Sequence, residues 1–517
     1  MLNSYAISGN QLNIEKTKSS ARNRSLVVLA FLSAVYCIGT MVPGRFAVTD
    51  EVFFKAAGRN WATTGHFAAP EIVGRLSQGP PLSEIYFAQP PVYTFLFGAY
   101  VKLAGFSPRS CIAYDMIIHL LLIWSAMLVG RTIYRLEWNW AALCGALPVT
   151  IGTVGRPDEL GIVFAMWAAI AFRSRLPDRL SVPIGGVLLG LCLCTSLGAF
   201  LFLSPLALWE LFSTQQDPTK KIADIGLAAA VCLLVAAACV SPILIAHPTA
   251  YRQLIEHAGE QSTVLSAVTG EKRNSTLGFV EPWLTMMRYG YSYGFLIAGL
   301  LVFSLLCRCL DGSADHPAYA RIVILILSLF VLMAAMPGKY PYLWFQGCWL
   351  LVSCVALGAH VSDAFSSRRQ RLLLVFGACV WLLASAPSIR WAIIMWKIPP
   401  DQSLTANTKR LQAEVPAGVG VMTTDYWWDL ANRDQVYDLA FSDPGVDAID
   451  YIVLSGNGSG RPGIPTGFEA RYKAGFVPVS DQLNGTPATL LGHRISRSSY
   501  GFGAYVLKKI PTTSTAR

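Results

Sequence analysis

Residues 16–51, KTKSSARNRSLVVLAFLSAVYCIGTMVPGRFAVTDE, set a basic cluster, an apolar run and an acidic pair in a row. Lys16, Lys18, Arg22 and Arg24 precede the run Ser25 to Val42, which ends at Pro43-Gly44-Arg45. The run is too long for the hydrophobic part of a signal peptide, and no small-residue cleavage site precedes the proline. It therefore predicts a retained membrane helix with a cytoplasmic N-terminus, and Thr49-Asp50-Glu51 follows just beyond its outer end.

Working outward, apolar runs recur at 111–130, 138–154, 159–172, 182–197, 199–212, 222–246, 289–306, 321–336, 342–359 and 372–396. At roughly 20 apolar residues per span, this predicts about eleven transmembrane helices; the pair flanking Ser196-Leu197-Gly198 also reads as one bent helix. The composition agrees: 53% of the 517 residues are hydrophobic and 14% charged, with mean hydropathy +0.45. A soluble chain carries about a quarter charged residues, so a cytosolic enzyme is excluded, as is a disordered chain. The net charge of +10 sits in short clusters between apolar runs, a pattern of membrane orientation rather than nucleic-acid binding. Arg131/Arg135, Arg173/Arg175/Arg179, Lys220/Lys221, Arg308/Arg321 and Arg368/Arg369/Arg371 fall in alternate loops, as the positive-inside rule requires. Segments 43–110, 247–286 and 397–517 then lie outside. The twelve cysteines lie in or beside apolar runs, which excludes a disulfide framework in the outer segments.

The expected organisation is a cytoplasmic tail at 1–24, a membrane domain at 25–396 and an extracytoplasmic α/β domain at 397–517. Within the first outer loop, Glu51–Thr64 and Pro91–Gly105 read as helices with one apolar face, suited to lie along the membrane interface. Residues 250–286 read as a loop between spans. After Pro399-Pro400, helices are expected at Thr405–Val415 and Asp425–Asn432, and strands at Gly418–Thr423, Ala448–Leu454 and Phe502–Lys508.

Four outer-side clusters can carry chemistry, each with a bland alternative. In Thr49-Asp50-Glu51 the adjacent carboxylates point different ways on a helix, or Thr49 or Asp50 simply caps it. Tyr86-Phe87-Ala88-Gln89-Pro90-Pro91-Val92-Tyr93 opens the second interfacial helix, or is only a rigid turn. Gly155-Arg156-Pro157-Asp158-Glu159 places a cation and two anions between spans, where charges are functional by default, or is an anchored reversal. Pro337-Gly338-Lys339-Tyr340-Pro341-Tyr342 suits a phosphate at headgroup level, or ordinary snorkelling. Asp115 and His119 stand at i,i+4 and are expected to pair.

By side and order along the chain, these clusters resemble the GT-C glycosyltransferases, in the branch of the protein O-mannosyltransferases and the lipid A aminoarabinose transferase. The resemblance covers about 25–396. Gln89 stands where the family commonly has histidine or lysine, and Thr195-Ser196 where some members carry lysine.

The resemblance implies transfer of a sugar, hexosyl or pentosyl, from a polyprenyl-phosphate donor to a lipid, glycan or protein acceptor on the outer face of the plasma (inner) membrane. It implies Asp50 as the base, with Glu51 orienting neighbouring groups, and inversion at the anomeric carbon. Arg156, Asp158, Lys339, Tyr340, Tyr342, Gln89 and Arg59 are the expected substrate-binding residues. No cofactor is required, although Asp50, Glu51 and Asp158 are of a type that can hold a divalent cation. The competing class is a transporter or lipid-carrier flippase; such proteins place ionisable groups near the bilayer midplane and often show internal repeats, which this sequence lacks.

Overall fold

The computed structural model of the chain describes residues 22–39, 41, 49–73, 79–150, 155–174, 177–214, 217–257, 320–325, 327–328, 349, 352–353, 355–356, 359, 393, 396–397, 403–423, 426–430, 435–437, 446–455, 475–479, 486–490, 493–500 and 504–510. Of Thr49 and Asp50 it describes the backbone alone. All or most of the expected spans at 289–306, 321–336, 342–359 and 372–396 lie outside the described residues, as do Lys339, Tyr340 and Tyr342.

The described part of residues 22–257 is helical almost throughout. Helices α1 (Arg22–Gly39), α4 (Pro108–Thr132) and α9 (Pro218–Ala246) are long and apolar enough to cross a membrane. Only 17% of the apolar window of α1 and of α9 is buried, against 61% for α4, so α4 is interior and the other two are peripheral. The outward side chains of the peripheral pair, among them Val27, Phe31, Val35, Leu227, Leu233 and Leu234, are large and apolar, as contact with lipid requires. Between α4 and α9 run α5 (Trp138–Ala146) with a 3₁₀ turn at Leu147–Thr150, α6 (Pro157–Arg173), α7 (Asp178–Leu193) and α8 (Leu197–Thr214). The chain leaves helical geometry at 194–196, so the pair around Ser196 is two helices and not one bent helix.

Local sequence accounts for these starts. The Ser107 hydroxyl accepts from the Ser110 amide at 3.1 Å, and the Ser110 hydroxyl accepts from the Ser107 amide at 2.8 Å, a reciprocal cap with Pro108 in the first turn of α4. Asp217 caps α9 through the Thr219 amide at 2.9 Å. Pro157 opens α6, and Asp158 and Glu159 occupy its first turn, where the helix dipole favours anions. Gly186 and Gly190, four apart on α7, let that helix approach α9: a Cβ on either would stand 2.7 Å from an α9 carbonyl.

Above these spans sit α2 (Thr49–Thr64) and α3 (Pro91–Ala104). Both were expected to be amphipathic. In α2, however, every residue from Glu51 to Ala57 is buried, Lys55 included. The reason is that α2 is enclosed by α3, the N-terminal end of α4 and part of the C-terminal segment, and its charges are matched internally. Helices α2 and α3 cross where Gly58 meets Gly98: a Cβ on Gly58 would lie 2.3 Å from the Thr94 carbonyl, and one on Gly98 2.5 Å from the Gly58 carbonyl.

Residues 403–510 carry helix α10 (Leu404–Glu414), the short α11 (Trp427–Leu430) and seven strands: β1 Gly420–Thr423, β2 Gln435–Tyr437, β3 Tyr451–Ser455, β4 Phe476–Pro478, β5 Thr486–Leu490, β6 His493–Tyr500 and β7 Ala504–Lys509. A five-stranded mixed sheet has the order β2-β1-β3-β7-β4, with β1 parallel to β2 and β3, and β7 antiparallel to β3 and β4. Strands β5 and β6 form a separate antiparallel pair. Val421, Tyr451 and Val453 pack on one face with Leu411 and Tyr426, while Met422, Ile452 and Leu454 pack on the other with Phe476. Adjacent residues thus serve opposite faces, as the two-residue period of a doubly covered sheet requires.

The Gly58–Gly98 crossing sets how closely α2 can lie on α3. Gly58→Val is expected to cost about 3 kcal/mol by overpacking, read as a lowered unfolding temperature of the purified chain, while Gly65→Ala, with nothing within 4 Å of a new Cβ, tests the contribution of backbone strain alone.

Candidate active site

The opening of α2 brings Glu51 and Lys55 onto one face, with glutamate four residues before lysine, the favourable orientation for such a pair. Lys55 Nζ donates to Glu51 Oε1 at 2.6 Å and to Asp115 Oδ2, from α4, at 2.8 Å. All three side chains are essentially without solvent exposure. Charges so enclosed are tolerated only when paired, and here one ammonium serves two carboxylates. The Lys55 ammonium also lies 5.4 Å from the centre of the Phe97 ring and 5.5 Å from that of Trp428. Phe97 belongs to α3 and Trp428 to α11, so the C-terminal segment helps enclose the group.

Tyr93, from α3, donates to the Gly155 carbonyl at 2.9 Å and approaches Asp115 Oδ1 at 3.3 Å. Burial, reinforced by Asp115, Tyr114, Glu51 and Glu159, pushes its phenol well above the ordinary value, so Tyr93 stays a donor. Gly155 has φ +65°, and a Cβ there would stand 2.1 Å from Glu51 Oε1 and 3.0 Å from Asp115 Oδ2. The turn before α6 therefore needs glycine twice, for its left-handed backbone and for the space the carboxylates take.

Arg156 follows directly. Its Nε donates to Asp158 Oδ2 at 3.1 Å, its guanidinium lies 5.1 Å from the centre of the Phe54 ring, and it is 3% exposed. The other oxygen of Asp158 accepts from Ser196 at 2.7 Å, so the break between α7 and α8 supplies a hydroxyl to the site. The same break supplies the Cys194 carbonyl to the Val92 amide at the start of α3, at 2.9 Å. Glu159 contacts His119 Nδ1 at 3.3 Å, and Tyr36 of α1 stacks on that imidazole. The i,i+4 spacing of Asp115 and His119 thus misleads: each turns to a different helix, Asp115 to Lys55 and His119 to Glu159.

Of the residues marked from the sequence, Glu51, Arg156 and Asp158 fall in this one connected region. Asp50 enters it by its backbone, as the neighbour of Glu51 on α2. Gln89 is buried at the end of a loop whose backbone is held by Gln253: the Phe87 amide donates to Gln253 Oε1 at 2.7 Å, and Gln253 Nε2 donates to the carbonyls of Pro80 at 2.7 Å and Ile85 at 3.0 Å. Arg59 lies elsewhere. It pairs with Glu71 at 2.9 Å and lies over Phe106, whose ring meets Trp427 of α11 edge-on at 5.3 Å. That contact joins the segment between α3 and α4 to the C-terminal segment. Lys55, Tyr93, Ser196 and Gln253 were not assigned a role from sequence; only Lys55 carried a signal, its spacing from Glu51.

Of the three carboxylates that the sequence offers to a divalent cation, those of Glu51 and Asp158 have partners within the protein. Glu51 and Asp115 already share the Lys55 ammonium, and both oxygens of Asp158 are engaged by Arg156 and Ser196. Among the described residues no cluster of three His, Cys, Asp or Glu has metal-holding geometry.

No family model and no curated protein sequence matches the chain. Its structure is similar to that of ArnT from Cupriavidus metallidurans bound to undecaprenyl phosphate, at 11% identity and TM-score 0.44, over 94% of this chain and 98% of that one. It is similar also to the Archaeoglobus fulgidus oligosaccharyltransferase AglB with an inhibitory peptide and a dolichol-phosphate, at 13% identity and TM-score 0.46, over 83% and 69% of the two chains. A third similar structure is the arabinofuranosyltransferase AftD from Mycobacteria, at 14% identity and TM-score 0.48; the alignment spans 94% of this chain and 40% of AftD.

The α11 segment that covers Lys55 has a titrating neighbour. Burial pushes the Asp429 carboxyl up to about 6, against the hydrogen bond that Thr408 donates to it. Because the folded value is raised, stability from this group is complete near pH 4 and is lost as pH rises through 6. The loss should be on the order of 3 kcal/mol, visible as a falling unfolding temperature between pH 4 and 7, and Asp429→Asn should flatten that slope.

Proposed function

We propose that this chain is a membrane glycosyltransferase that moves a sugar from a polyprenyl-phosphate donor to an acceptor hydroxyl or amide on the outer face of the membrane. The observation that carries the reading is the meeting of Glu51, Arg156 and Asp158, from sequence positions about a hundred residues apart, in one enclosed ionic region at the opening turns of α2 and α6.

The chemistry follows from what such a transfer needs. A lipid phosphate leaves readily, so no strong general acid is required. The acceptor attacks the anomeric carbon, its proton passes to a base, and the carbon–oxygen bond to phosphate breaks with its electrons moving to the phosphate. Arg156 is the described cation suited to stabilise that departing charge, with Lys339 expected to add a second. Asp158 and Ser196 hold the guanidinium at its place on the N-terminus of α6. Asp50 is the base. The backbone of Asp50 lies one helical turn before Phe54, the residue whose ring sits under Arg156, which supports this reading. A base and a leaving group on opposite faces of the sugar give inversion. Gln89 and the tyrosines at 340 and 342 are assigned to donor contacts.

Purified full-length protein given radiolabelled polyprenyl-phosphate sugars, hexosyl and pentosyl in turn, should transfer label to an acceptor or slowly hydrolyse the donor. A transporter would do neither. Asp50→Asn should abolish this turnover without lowering membrane insertion, and Arg156→Ala should reduce it about 100- to 1,000-fold. Near-full turnover by the Asp50 variant would remove the base assignment.

A further inference from the structure

We infer that Lys55 is the positioning residue of this site: its ammonium keeps Glu51 and Asp115 charged side by side and thereby fixes the first turn of α2, with Asp50, against α4 and Gly155. The catalytic consequence rests on the proposed transfer reaction; the placement of the charge does not.

Three observations carry the inference. Lys55 is fully buried yet bonds two carboxylates from different helices, at 2.6 and 2.8 Å. A cation in that setting is there for its charge, since a straight apolar side chain would fill the same space at no desolvation cost. Its two aromatic neighbours, Phe97 and Trp428, come from α3 and α11, so the ammonium is gripped by four elements. Finally, Glu51 is seated so tightly on Gly155 that no Cβ would fit between them. Glu51 therefore rests directly against the turn that carries Arg156, and the Lys55 ammonium holds it there. Lys55 acts through Glu51 and is not required to touch donor or acceptor.

The charged and titratable groups that face this knot, among the described residues, are Tyr93 from α3, Tyr114, Asp115 and His119 from α4, Arg156 with Asp158 and Glu159 at the start of α6, and Asp429 beside Trp428. Among the described residues Arg156 pairs with Asp158, so removal of the Lys55 charge leaves this described part of the region acidic. At low pH a carboxylate can then take up a proton; at high pH the pair repels.

The test uses the full chain in detergent, with Lys55→Met, Asp115→Asn, the double variant and Lys55→Arg, unfolded by heat at pH 5.5 and 8.5. Lys55→Met should lose about 5 °C more at pH 8.5 than at pH 5.5, Asp115→Asn should restore at least half of the loss in the double variant, and Lys55→Arg should stay nearer the parent. An equal loss at both pH values with no recovery in the double variant would reduce Lys55 to packing and overturn the inference, as would failure of both the single and the double variant to fold. Where transfer is measurable, Lys55→Met should move the acid limb of the rate profile up by about one pH unit, whereas a drop by the same factor at every pH overturns the positioning role. Absence of transfer in the parent protein sinks the proposed function instead, and the unfolding series still decides the role of Lys55.

Discussion

The ionic site at the head of α2 depends on the sharing of one ammonium by two carboxylates. A charge removed from water must find its opposite, and it finds it only if the backbone segments that carry both are brought within about 3 Å. Glu51 and Lys55 are neighbours on one helix, so their meeting costs little chain entropy. Asp115 is sixty residues from Lys55, and its bond draws α4 onto α2. Once that contact exists, Tyr93 can reach the Gly155 carbonyl, Gly155 can take its left-handed turn under Glu51, and Arg156 emerges beside Phe54. The site is thus assembled by electrostatic bookkeeping imposed by burial, and the apolar packing of Phe53, Phe54, Tyr86 and Phe97 around it keeps water out.

What could be read from the sequence was whatever local rules govern. Proline at the head of α3, the long apolar runs of α1, α4 and α9 and the short apolar runs of β1 and β3 all announce themselves within a few residues. The sequence also marked Glu51, Arg156 and Asp158, because charges beside apolar runs are expensive and so carry meaning. Pairing was not legible. Asp115 and His119 stand at a spacing that permits contact, yet burial set each against a different helix, and nothing local distinguishes those outcomes. Lys55 was overlooked because a lysine four residues after a glutamate is usually a solvated pair; only the enclosure of α2 makes it interior. The hydroxyl of Ser196 could not be foreseen, since its role depends on where two helices part.

The C-terminal segment is more than an appendage to the membrane part. Trp427 and Trp428 follow β1 on a single turn of helix and enter the same apolar cluster as α2, α3 and the head of α4. Trp427 meets Phe106, and Trp428 meets the Lys55 ammonium. The parallel β1–β2 pair, joined through this turn, orients both indoles toward the outer loop. The sheet acts as the rigid frame from which one face of the ionic region is closed.

Gln253 ties the loop that ends in Gln89 to the helical turns at 251–257, which follow α9, a helix of 29 residues, after a short turn. A helix of that length, roughly 43 Å, exceeds the hydrocarbon layer of about 30 Å and adjusts by leaning. The three hydrogen bonds of Gln253 join the chain just beyond that helix to residues 80–87, which lead into α3. A change in the lean of α9 would thus reach the loop only through the turn at 247–250, and bilayer thickness would be a mechanical input to its geometry.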